Sequence, residues 1–77
     1  MLEIPDFFKD QVQKLSTDRI ENELTTLLLN TGSDDVFFTF RLLDTHCDEY
    51  VNSLKELDRF LLARFMLDQL IEKVQTE

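Results

Sequence analysis

Among 77 residues the chain has one cysteine, one glycine, one proline and no tryptophan, and only eight basic side chains. Each scarcity removes a class of molecule. A single thiol, Cys47, cannot form a disulfide within one copy. With His46 as the sole histidine, it also falls short of the roughly four ligands of a structural zinc site. No stretch alternates oxygen ligands around a central glycine, as a calcium-binding EF-hand loop must. Apolar runs never exceed four residues, far below the ~20 that cross a bilayer. Residues 1–6 lack the basic and apolar regions of a secretory signal. The expectation is a cytoplasmic protein, where a lone thiol stays reduced.

Basic charge is scarce relative to acid. Sixteen Asp and Glu face eight Lys and Arg, for a net charge of −8. Direct nucleic acid binding rests on cations neutralising phosphates, so it is not expected, and anionic membranes are disfavoured for the same reason. The complementary expectation is a basic protein partner, met by carboxylates standing where nucleic acid phosphates would sit. Simple solubility is the competing explanation of the same charge.

What is abundant points to helix. Hydrophobic residues make up 43% of the chain and charged ones 31%, a composition of folded rather than disordered proteins. One domain spanning 1–77 is the upper limit of such a length. A chain this short buries only about 60% of its unfolded surface. Without disulfide or metal, further buried area has to come from a partner or a second copy, and a homodimer is the expectation.

Pro5 suits the start of a first helix, with Phe8, Val12 and Leu15 on one face and Phe7 beside them. Ser16 or Thr17 caps a second helix carrying Ile20, Leu24, Leu27 and Leu28, which Asn30-Thr31-Gly32 ends. From Ser33 onward no glycine or proline occurs, and Val36, Phe40, Leu43, Cys47, Tyr50, Leu54, Leu57 and Leu61 step by fours and threes. That rhythm predicts a long helix or two nearly collinear ones, with a tight hairpin near residues 44–53 as the alternative. Restart signals stand at Thr45-His46-Cys47-Asp48 and at the capping-box pattern Ser53-Leu54-Lys55-Glu56. Residues 36–42 also alternate like a strand, though helix is the reading preferred. The fold expected is all-α: a small bundle of three to four helices with a long C-terminal helix or helical hairpin.

No constellation carries chemistry. His46 and Cys47 are neighbours, and adjacent helical residues diverge by about 100°, which prevents a base–nucleophile pair. Carboxylate pairs such as Asp6 and Asp10, or Asp44 and Asp48, read as solvated helix faces rather than acid–base dyads. Size, acidity and helicity resemble an acyl carrier protein, with Gly32-Ser33-Asp34-Asp35-Val36 where that family has its attachment motif. The resemblance implies phosphopantetheine on a serine. The Asp-Ser-Leu it requires reads Asp34-Asp35-Val36 here, so aspartate holds the serine's place and no cofactor is expected.

Two surfaces remain as candidates. Asp34, Asp35, Phe38, Leu42, Asp44 and Asp48 are the candidate partner-binding residues, combining acid with apolar side chains. Phe60, Ala63, Leu67, Leu70 and Val74 form a C-terminal stripe suited to self-association. The sequence points to a non-enzymatic interaction module: a regulator, anti-activator or inhibitor acting by stoichiometric binding. A carrier or scaffold subunit of a larger assembly is the alternative.

Overall fold

A computed structural model describes residues 2–30 and 39–76. Among them lie four helices and no strand: α1 (Asp6–Lys14), α2 (Thr17–Asn30), α3 (Thr45–Asn52) and α4 (Glu56–Thr76). No helix among the described residues is long and apolar enough to cross a membrane.

The first two helices follow the pattern of their sequence. Pro5 is the N-cap of α1, and its carbonyl accepts from the N–H groups of Phe8 and Lys9, both at 3.1 Å. Phe8, Val12 and Leu15 are buried, whereas Phe7 stays partly exposed. The Ser16 carbonyl accepts from the Ile20 N–H at 3.0 Å and opens α2. Ile20, Leu24 and Leu27 then point inward, leaving Leu28 about half exposed. The predicted stop at Gly32 lies outside the described residues, as do the cap at Ser33 and the seam residue Val36.

Beyond residue 38 the expected long helix gives way to three pieces. Residues 39–44 are neither helix nor strand, α3 follows for two turns, and residues 53–55 separate it from α4. Collinear helices are also excluded by length. Residues 45–76 on one axis would extend about 48 Å at 1.5 Å per residue, yet the longest dimension of the molecule is 38 Å. Of the two restart signals, the one at Thr45-His46-Cys47-Asp48 is a helix start. Asp44 caps α3 through a 3.2 Å hydrogen bond accepted from the Cys47 N–H. Ser53, however, closes α3 instead of opening α4: its hydroxyl donates to the Tyr50 carbonyl at 2.6 Å and its N–H to Glu49. The first α4 hydrogen bond runs from the Arg59 N–H to the Lys55 carbonyl.

The core gathers side chains from every element: Phe8 and Val12 of α1, Ile20 and Leu27 of α2, Phe40 and Leu43 between helices, Cys47 and Val51 of α3, and Leu62 and Met66 of α4. Phe8 is its hub, with ring centroids 5.7 Å from Tyr50, 5.9 Å from Phe40 and 6.5 Å from Phe65. The main packing of α4 is against α2.

Candidate docking surface

The irregular piece between α2 and α3 is fastened by side chains of the helices around it. Glu23, only 1% exposed, accepts from the N–H groups of Arg41 at 3.2 Å and Leu42 at 3.4 Å. Asp48 Oδ1 accepts from the Phe40 N–H at 2.8 Å. Gln11 of α1 bridges further along: its Oε1 accepts from the Asp44 N–H and its Nε2 donates to Asp44 Oδ2 at 2.7 Å. Non-helical backbone cannot satisfy its own amides, so buried acceptors supply what a helix would have supplied internally. Burial pushes the Glu23 carboxyl above its ordinary pKa, and the nearby Asp48 charge adds to this. The two backbone N–H groups and Arg41 work in the opposite direction.

This arrangement reassigns part of the candidate partner surface. Asp48 is 7% exposed and its carboxylate holds Phe40, so it belongs to the fold and is not presented to a partner. Asp44 is exposed but occupied as a cap. Desolvation is the largest single influence and raises its pKa, but the hydrogen bonds from Gln11 and Cys47 and the nearby His46 together outweigh it, and the net shift is downward. Leu42 is exposed, beside an open hollow of about 460 Å³ that it lines with Arg41 and Thr26. Asp34, Asp35 and Phe38 lie outside the described residues.

Cys47 and His46 diverge as helix geometry requires. The thiol is fully buried, and burial, with the Asp44 charge behind it, pushes its pKa up to about 12. Its Sγ lies 3.4 Å from Gln11 Oε1. The His46 ring is exposed and meets Phe7 edge-on at 6.2 Å. Among the described residues no three His, Cys, Asp or Glu side chains group as metal ligands. A hollow of about 810 Å³ opens between residues 2–6, α1 and α4, rimmed by Glu3, Asp6, Lys9 and Gln69.

The conspicuous surface is the outer face of α4. Only Leu62, Ala63 and Met66 of its 21 residues are buried, and beyond Met66 none is. The predicted stripe therefore divides. Ala63 is 5% exposed and joins the core, and Leu70 packs partly against it, whereas Phe60, Leu67 and Val74 face outward. Two further residues join them: Leu57, which the sequence pattern places on the preceding seam and which is 68% exposed, and Ile71, which belongs to neither pattern. With the exposed Arg64 they make an unbroken run of Leu57, Phe60, Arg64, Leu67, Ile71 and Val74, stepping three, four, three, four, three. The heptad spacing was there to be read. It is masked in the sequence because Arg64 fills an apolar position and because the spacing of the preceding seam continues across the break at residues 53–55. Beside this run, α2 contributes Leu24 and Leu28 to an open hollow of about 220 Å³, shared with Phe60, Ala63, Arg64 and Leu67.

No family model matches the chain, and no curated protein or solved structure matches it. The surface itself therefore carries the functional argument.

Proposed function

We propose that the protein is a small acidic interaction module that acts by stoichiometric binding, as a regulator, anti-activator or inhibitor of a basic protein, and that it works as a homodimer. One observation carries this reading. Five large apolar side chains line one outer face of α4, in a chain whose net charge is −8. Exposed apolar surface arranged in line marks an interface more often than scattered single residues do. Acidic surroundings favour and steer a cationic partner, raising the encounter rate more than the final affinity. The chemistry of the side chains agrees with binding rather than turnover. The only thiol is buried and poorly ionised, whereas a nucleophilic cysteine needs an open, electropositive setting.

The experiment is affinity capture from the native host, then titration of the purified pair. A fixed stoichiometry and an affinity that falls with added salt are expected. His46→Ala and Cys47→Ala should leave binding intact in the folded protein. Asp34→Lys with Asp35→Lys should slow association and flatten the salt dependence. The reading is overturned if either single substitution abolishes activity in a folded chain while the charge reversals change nothing.

A further inference from the structure

We infer that α4 pairs with the α4 of a second copy of this chain, antiparallel, about a two-fold axis near the level of residues 65 and 66. The inference rests on the interaction-module reading above and names one occupant of its outer face. Three observations lead to it.

The first is periodicity. The exposed run keeps a strict three-four alternation over 18 residues, the spacing by which two helices interlock side chains along their length. Reversed about its midpoint the run matches itself, so that Leu57 lies level with Val74 of the second copy, Phe60 with Ile71, and Arg64 with Leu67. Such self-complementarity is what a two-fold interface requires.

The second is charge. A parallel, in-register pair would set Arg64 against Arg64 in the middle of an apolar seam, leaving two like charges to be desolvated together. The antiparallel pair separates them. It places each guanidinium beside Leu67 of the other copy, within reach of the adjacent Asp68, which is exposed on α4. Two symmetric Arg–carboxylate contacts result, and the opposed helix dipoles add a favourable contribution.

The third is area and fit. Five large apolar side chains that are about half exposed leave on the order of 500 Å² per copy, so a pair reaches the ~1,000 Å² that a biological interface must clear. The hollow beside the run spans the levels of Phe60 to Leu67. Leu67 of the second copy falls in the middle of that span.

The test uses the isolated full chain, so its outcome is independent of any other partner. Sedimentation equilibrium at micromolar concentration and moderate salt should give twice the 9.2 kDa of one chain. A folded 9.2 kDa species overturns the pairing and the homodimer with it, while stoichiometric binding of a basic partner stands or falls on its own titration. Orientation is read by mixing Leu57→Cys and Val74→Cys chains in a glutathione redox buffer. Both positions are exposed, and the buried Cys47 thiol, with its raised pKa, does not compete. Antiparallel pairing brings the two introduced thiols together and holds like thiols about 25 Å apart along the axis. That is beyond the ~7 Å Cα separation a disulfide tolerates. The expected product is the mixed disulfide, well above its statistical share. Predominance of the Leu57→Cys homodisulfide, or a statistical mixture, overturns the inference. Leu67→Asp should raise the dissociation constant at least tenfold, with helical content unchanged; an unaltered dimer would show that another face is used.

Discussion

Glu23 shows how one side chain can determine whether an irregular segment is tolerable. Its carboxylate serves two backbone amides from a site almost without solvent. Glu23→Ala should therefore cost about 1–3 kcal/mol, the penalty for stranding buried donors, measurable by urea unfolding. Its pH signature follows from the raised pKa. The folded state takes up a proton more readily than the unfolded state, so the charge on Glu23 weakens the fold above its folded pKa. That cost disappears as pH falls toward the ordinary carboxylate range. Asp44 acts in the opposite sense, because its pKa is lowered. Its contribution is complete above the ordinary aspartate value and is lost as pH falls through the folded one. The stability of Glu23→Gln relative to wild type, followed from pH 7 down toward the ordinary glutamate pKa of about 4.3, isolates the first effect. Wild type should gain on the variant as acid is added. At Cys47, a pKa of about 12 and complete burial predict negligible alkylation by iodoacetamide in the folded protein at pH 8 and rapid alkylation in urea.

At the scale of elements, α4 has an inner and an outer face whose substitutions should separate cleanly. Leu62→Ala, on the inner face, should cost about 2–5 kcal/mol through the cavity it leaves. Ile71→Ser, on the outer face, should change the unfolding free energy of dilute protein by no more than about 0.5 kcal/mol. Denaturant titrations well below the association range provide the comparison. The same element shows where the sequence was legible. Helices α1 and α2 could be placed from Pro5, Ser16 and their apolar spacing, because nothing competes with periodicity there. The stretch from Phe40 to Leu57 could not, since steps of three and four arise equally from a helix and from short turns that each bury one residue. The carboxylates that make such turns affordable, Glu23 and Asp48, look in sequence like any other polar-face acids. Of the candidate surfaces, the outer α4 face was half legible: Phe60, Leu67 and Val74 were found, and Leu57 and Ile71 were missed.

For the molecule as a whole, net charge decides the response to salt. Eight uncompensated negative charges lie on a body with a radius of gyration of 11.8 Å. At low ionic strength many of them are therefore within a single Debye length, about 30 Å at 0.01 M, of one another. Screening should raise the melting temperature between low and moderate salt near neutral pH, and calorimetry at a series of salt concentrations would register it. A flat or falling trend would mean that local ion pairs outweigh the general repulsion. Pairing of two such bodies should strengthen with salt for the same reason.

The fastening of residues 40–42 also has a kinetic side. Their amides depend on acceptors 8 to 19 positions away, contributed by α2 on one side and α3 on the other. Loop-closure entropy must be met before any of these bonds can form, so this stretch settles only after both helices have found their places. Once closed, it has no local way to fray. Hydrogen exchange at Arg41 and Leu42 should therefore proceed at the slow pace of global opening, unusual for backbone outside any helix. In Glu23→Ala those two amides should exchange far faster, well ahead of the buried turns of α4.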